Sequence, residues 1–494
     1  MIEGSDEVAH SGVSLDGVGS SFAAPAIETW VGDVANAPYD LSLNYSSTNS
    51  GDGRYQFTNQ TTDFAASDID YTGSTDNTPP SFPFIFVPIT AGGIAFMYNV
   101  PGLTKTLHLS SYTTCAILTG GITNWDNSDI AADNGGVAGP NLKIIPVTEN
   151  DSAGTNYVLE EWCIAEQPAL WAAFANAENS QEGGPTDGVA ISATAPQSAW
   201  PGIGGGLDVT STTAVAGDVA ANSGAIGPVQ EQYAVDESGF SGSDPSKGVA
   251  GEKNASGDYT LPSSVDVGSA LAYATQKADG THVLNFNGVG PNVYNPSTYS
   301  YLLSPTTGWS SEKGAVMSGF VNYVLTLGQQ QAPKFGYAGL GLSLEQYGVN
   351  SVKADVPGAV APTAAEQAAY ACGDLTPAEV AAGQTTPTCG VVCSTCTSSS
   401  VAGANAGHAG SSALASKTSG GTSGSTDGAS GSGGGSGGSG SGAGASAAVS
   451  LGGSNPLAFT GSDPIPLVVL GTLLLVAGWT VRRLLVRRRP RTEL

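Results

Sequence analysis

Three short segments of this chain join small, hydroxyl-bearing residues to the start of a helix-forming run. They are Gly19-Ser20-Ser21-Phe22-Ala23-Ala24-Pro25, Asn49-Ser50-Gly51-Asp52-Gly53-Arg54 and Asp151-Ser152-Ala153-Gly154-Thr155. Small residues let a backbone approach a ligand closely. The open N–H groups of a helix N-terminus, with the dipole behind them, favour an anion. A fourth segment, Asp63-Phe64-Ala65-Ala66-Ser67-Asp68, adds a carboxylate. A carboxylate repels an anion unless that anion brings a proton to donate, so the set suits an oxyanion that stays protonated near neutral pH. Taken singly, Ser21, Ser50 and Thr155 are ordinary N-cap hydroxyls and Asp68 is a solvated strand end. Arg54 is the only arginine in residues 1–461 and directly follows the Ser50 loop. Its five-donor fork suits an oxyanion; the plainer alternative is a surface arginine in a first helical turn.

The elements around these segments read as α/β. Residues 81–89 and 93–98 are apolar runs with proline punctuation and predict two buried strands. Pro25 stands just inside a predicted helix, a favoured place for it. Residues 155–163 predict a helix capped by the preceding Asp151 and Ser152, and residues 316–327 another.

In this order and spacing the four segments resemble the phosphate-binding proteins of ABC importers, from about residue 17 to about residue 358. Ala91-Gly92-Gly93-Ile94, Thr123-Asn124-Trp125-Asp126, Gly224-Ala225-Ile226-Gly227 and Phe335-Gly336-Tyr337-Ala338 add to the likeness. The resemblance implies an α/β, two-lobed periplasmic-binding-protein-like fold with two hinge crossings, near residues 96–99 and 294–301. The binding domain would span 13–357, with lobe one at 13–97 and 295–357 and lobe two at 98–294. It also implies that Ser21, Phe22, Ser50, Gly154 and Thr155 meet the oxyanion, and that Asp68 accepts the phosphate proton. Sulfate has no proton to offer, and a site with a buried acceptor rejects a non-donor by about 10⁴ or more. The last loop departs from the family. Glu149 stands where an arginine is usual, six residues before Thr155, and Ala153 replaces a serine. A phosphonate or organic phosphate is therefore the alternative ligand, and a surface adhesion protein reusing the fold the alternative from another class.

Residues 1–461 carry ten basic and forty acidic side chains, a balance that excludes the basic stripes of nucleic-acid binders. No hydrolase elbow, Walker loop or histidine-rich metal motif occurs in the folded region. Ser310-Ser311-Glu312-Lys313 lacks its companion motifs, and Asp68-Ile69-Asp70 lacks the other ligands of a calcium loop. No enzyme activity, cofactor or metal is expected. Six cysteines in an exported chain favour disulfides. The two lobes place Cys115 with Cys163, which leaves two bridges among Cys372, Cys389, Cys393 and Cys396. The late spacing is not a standard zinc pattern.

The N-terminal Met1-Ile2-Glu3-Gly4-Ser5-Asp6 shows no signal-peptide pattern, whereas the other end calls for export. A cysteine-containing extension at 358–396 leads to a Gly/Ser/Ala-rich linker at 397–454, which is too polar and small to form a core. Residues 455–494 hold Leu457-Ala458-Phe459-Thr460-Gly461, an apolar run at 465–481 and six arginines. This order resembles a sortase sorting signal with Ala458 in place of the usual proline. It implies cleavage between Thr460 and Gly461 and attachment of Thr460 to a cell wall. A plain transmembrane anchor with its basic end inside is the alternative.

Overall fold

The computed structural model describes residues 12–71, 78–181, 185, 189–203, 205–236, 240 and 244–388. The linker, the sorting residues Leu457, Thr460 and Gly461, the apolar run at 465–481, and Cys389, Cys393 and Cys396 lie outside the described residues. Among those described, no helix is long and apolar enough to cross a membrane.

The chain opens with β1 (Ser14–Gly19), α1 (Ala24–Val34), β2 (Ser42–Ser47), α2 (Ser50–Thr58), β3 (Phe64–Ser67) and the long β4 (Phe84–Asn99). A second series follows: β5 (His108–Leu109), α3 (Ser111–Leu118), α4 (Ser128–Asp133), β6 (Ile145–Glu149), α5 (Gly154–Glu166), α6 (Pro168–Asn179), β7 (Leu207–Val209), α7 (Thr212–Ala221), β8 (Ala225–Gln230) and α8 (Glu231–Asp236). Short strands β9 (Lys247–Val249), β10 (Gly251–Lys253) and β11 (Tyr259–Thr260), α9 (Ser264–Leu271), and the hairpin β12 (Thr275–Gln276) and β13 (His282–Val283) precede β14 (Ser297–Pro305). Then come α10 (Ser311–Val324), β15 (Tyr337–Ala338), α11 (Leu342–Asp355), α12 (Ala364–Gln367) and α13 (Pro377–Ala381).

The main sheet runs β2-β1-β3-β14-β4-β8-β6-β7, with β9 and β15 also on β4. Its two ends are parallel, β2-β1-β3 on one side and β8-β6-β7 on the other. Antiparallel β14 and β4 join them. Strand β4 pairs with β14 from Phe84 to Gly93, then with β8 from Ile94 to Asn99. One continuous strand thus passes between the two halves, where the sequence predicts two strands with a break. Gly92 and Gly93, at the junction of the two expected strands, make room for rings. A Cβ on Gly92 would lie 2.8 Å from the Phe22 ring, and one on Gly93 2.9 Å from the Tyr294 ring.

Two local features aim side chains at one point. The register of β14 against β4 shifts between Ser300 and Tyr301, opposite a stretch containing Pro88, which has no N–H for the ladder. Such a bulge re-aims the side chain beside it. The second is the start of α5. Its N-cap is Ala153, with no side-chain cap, so the expected capping by Asp151 and Ser152 is corrected. Asp151 Oδ2 instead accepts from Asn49 Nδ2 at 2.9 Å, and the Ser152 carbonyl accepts from Gly51 N at 2.8 Å. Likewise α1 starts after Ala23 without a side-chain cap, with Pro25 in its first turn.

Burial is extensive around this frame. Trp30, Phe57, Phe64, Phe320 and Val324 pack on one half, Trp125, Trp162 and Trp171 on the other. A separate cluster of Met97, Val147, Val215, Val219 and Val229 seats α7 against the sheet. Each such aliphatic side chain contributes about 1.5–3 kcal/mol on burial. A disulfide joins Cys115 of α3 to Cys163 of α5. Cys372 is also disulfide-bonded, to a partner outside the described residues.

Candidate anion-binding site

Asp68 follows β3 and is 3 % exposed. Ser20 Oγ donates to both of its oxygens, at 2.8 and 2.9 Å. Ser50 Oγ donates to Oδ2 at 2.9 Å, and Ser300 Oγ to Oδ1 at 2.6 Å. Three serines from three distant segments therefore surround one carboxylate. Burial raises the Asp68 carboxyl above its usual range, while the Ser300, Ser20 and Ser50 hydroxyls and the charge of Arg54 pull it down. Arg54 is fully buried, and its Nη1 donates to Ser67 Oγ at 2.6 Å.

The β6–α5 loop comes to the same point from the other half of the sheet. A Cβ on Gly154 would lie 2.6 Å from Ser50 Oγ and 3.0 Å from Asp68 Oδ2. Only glycine allows this approach, which brings the uncapped start of α5 over the carboxylate. Thr155 is next in the helix and nearly buried. Asn156 Nδ2 holds the loop by donating to the Glu149 carbonyl at 2.6 Å and the Ser198 carbonyl at 3.0 Å.

Ser21 Oγ lies 3.1 Å from Thr212 Oγ1, at the start of α7, and Tyr233 OH of α8 donates to the Ser21 carbonyl at 2.8 Å. With Asn49 on Asp151 and Gly51 on Ser152, these contacts draw the two halves together around the point between them. The Phe22 ring packs edge-on against Tyr337, whose hydroxyl donates to the Phe22 carbonyl.

Glu149 ends β6 and is 3 % exposed. Its Oε2 accepts from Thr212 Oγ1 at 3.1 Å. Burial first, then the charge of Asp151 and a hydrogen bond with it, then the charge of Asp68, hold the Glu149 carboxyl well above the usual carboxylate range. The group standing where a cation was expected is thus a carboxyl whose charged form its surroundings oppose.

The structure brings Ser21, Ser50, Asp68, Gly154, Thr155 and the Phe22 backbone to one convergence of two open helix N-termini. It places Arg54 against the segment that carries Asp68. Ser20, Ser300, Thr212 and Asn156 belong to the site without having been singled out in the sequence. Among them, Ser20 alone sat in a flagged segment. Among the described residues, no group of three or more His, Cys, Asp or Glu side chains could hold a metal ion.

Comparison with known proteins bears on this geometry. The family profile described as PBP superfamily domain matches residues 5–326. The phosphate-binding protein PstS of Xylella fastidiosa (strain Temecula1) is 26 % identical over 336 residues, covering 66 % of this chain and 82 % of its own. Phosphate-binding protein PstS 2 of Mycobacterium tuberculosis is 32 % identical over 162 residues, covering 32 % of this chain and 44 % of its own. Among solved structures, a phosphate binding protein from Stenotrophomonas maltophilia matches with a TM-score of 0.51 at 20 % identity, over 70 % of this chain and 96 % of its own. The high affinity periplasmic phosphate-binding protein PfluDING gives 0.50 at 17 % identity, over 69 % and 94 %. The structural likenesses speak for a two-lobed α/β fold.

Proposed function

We propose, from the premise that this chain belongs to the PBP superfamily, that it is an extracytoplasmic binding protein that captures inorganic phosphate between its two lobes and delivers it to an ABC importer. The observation that carries the reading is Asp68, a buried carboxylate ringed by Ser20, Ser50 and Ser300 and facing the open N-termini of α1 and α5. Helix ends and hydroxyls supply donors for oxyanion oxygens, and the carboxylate supplies an acceptor for the proton that phosphate carries and sulfate lacks. The relatives named as phosphate-binding proteins support the same ligand. A tether through the Leu457–Gly461 signal and the following apolar run would hold the lobes outside the membrane, by sortase attachment to the wall or by the apolar run itself.

A phosphonate is the second reading, favoured by Glu149 in place of a family cation. Titration calorimetry with phosphate, sulfate and methylphosphonate tests both. One phosphate should bind per chain, with sulfate weaker by about 10⁴ or more. Equal affinity for phosphate and sulfate would overturn the phosphate reading, and tighter methylphosphonate would replace it with the second.

A further inference from the structure

We propose that a second cavity, separate from the anion site and walled in part by the extension that begins at residue 358, binds a small organic cation, with its ammonium group on the Glu345 carboxylate and its apolar body against Leu344, Tyr299 and Tyr370.

The cavity holds about 400 Å³, within the usual size of small-molecule sites. Leu271 of α9 and Tyr299 of β14 belong to one wall, Leu344 and Glu345 of α11 to another, and Tyr370 and Asp374 of the extension to a third. Neither Asp68 nor any of its three serines lines it. The walls from α11 and the extension lie beyond residues 5–326, the part that matches the PBP superfamily profile. Much of this cavity is therefore built from chain that the family profile does not describe.

Glu345 is the group that points to a ligand. It is 1 % exposed. Ala371 N donates to its Oε2 at 2.7 Å, and its Oε1 receives no hydrogen bond among the described residues. Enclosing a carboxylate with one oxygen unmet is costly. Burial pushes this carboxyl up to about 8, with the Ala371 hydrogen bond opposing and the Asp374 charge adding. A cation at Oε1 supplies both the missing donor and the missing charge.

The walls decide what kind of ligand fits. No lysine or arginine lines the cavity. Burial first, then the Lys277 charge, push the lining His282 ring down to about 4 against the charge of Asp279, so that ring is uncharged at neutral pH. Asp374 is a second carboxyl on the wall, held through Oδ1 by Ser343 N and Ser343 Oγ, both at 2.9 Å. An anion entering here meets carboxyls and no compensating cation. A bare metal ion fits poorly too, since no group of three His, Cys, Asp or Glu side chains among the described residues could hold one. An ammonium carried on an apolar body uses both parts of the wall. Its N–H groups reach Glu345, while Leu271, Leu344 and the Tyr299 and Tyr370 rings pack its body and favour its charge.

The test uses the full chain and benzylammonium, with benzyl alcohol and benzoate as neutral and anionic counterparts of similar shape, in calorimetry at neutral pH. Benzylammonium should bind once per chain, at least about tenfold tighter than benzyl alcohol, and benzoate should not bind. Glu345→Gln should weaken benzylammonium at least about tenfold. Gly268→Leu is the second variant, with thermal melting as the folding control for both. Gly268 lines the cavity, and a Cβ there would meet only Ala338 Cβ, at 3.7 Å. The longer side chain therefore fills the cavity and should abolish binding with Glu345 intact. Absence of benzylammonium binding up to about 10 mM overturns the proposal. Equal binding of benzyl alcohol overturns the cationic class, and binding that survives Gly268→Leu overturns the place.

Discussion

A carboxylate has about four lone-pair directions, and three hydroxyl hydrogens meet Asp68: one from Ser20 shared between both oxygens, one from Ser50 and one from Ser300. Ser50 Oγ also receives Asp68 N at 3.1 Å and abuts Gly154 at the open end of α5. Asp68→Asn replaces an acceptor with a group that also donates. The ratio of phosphate to sulfate affinity should drop by at least about a hundredfold, read by competition calorimetry, with thermal melting as the control for folding. An unchanged ratio would remove Asp68 as the selectivity group. The sequence made Asp68, Ser50 and Gly154 legible because each sits in a small-residue segment beside a helix start. Ser300 was not legible. It lies 232 residues from Asp68 in a strand of serines, threonine, tyrosines and leucines, where nothing local says which hydroxyl meets a distant carboxylate. Thr212 and Asn156 escaped for a related reason, since their partners are fixed by packing between the halves.

At the scale of elements, α3 and α5 illustrate what periodicity and pairing reveal. Pro25 marked the first turn of α1, and the helix at 155–163 was placed within one residue of where α5 begins. The cap was misread because Asp151 and Ser152 serve the facing lobe. Strand β4 was split because the two apolar runs read as separate strands, whereas Gly92 and Gly93 between them fit under the Phe22 and Tyr294 rings and the strand runs on. The Cys115–Cys163 bridge was expected, and it ties α3 to the helix whose N-terminus carries Gly154 and Thr155. It closes a loop with a sequence separation of 48, for which the chain-entropy account gives about 4 kcal/mol of stabilisation. Cys115→Ser combined with Cys163→Ser should lower the free energy of unfolding by that order, measured in urea without reductant. A loss below about 1 kcal/mol would mean that burial of Trp162, Trp171 and their neighbours alone holds α5 in place.

Across the whole molecule, acidity is built into the interior as well as the surface. The chain carries 42 acidic and 16 basic side chains, and several acids outside the anion site are enclosed. Burial pushes Glu345 up to about 8, and burial with the nearby Asp266 charge pushes Glu231 up to about 8. Burial also lifts Glu161 to about 7, with Asp70 adding to it and Lys277 opposing, and lifts Asp266 to about 6 against a Ser263 hydrogen bond. In the unfolded chain these groups lose their protons near ordinary carboxylate values. Between about pH 4.5 and 8 the folded state therefore holds more protons than the unfolded state. Stability must fall as pH rises through that window, opposite to a protein whose carboxylates are salt-bridged. The urea midpoint of the ligand-free chain should be higher at pH 5.5 than at pH 8, and Glu231→Gln or Glu345→Gln should flatten the slope, because an amide has no proton to lose. A midpoint that rises with pH would show that these carboxyls are ionised in the folded state. The measurement is made without phosphate, because a ligand that binds only the folded state adds stabilisation of its own.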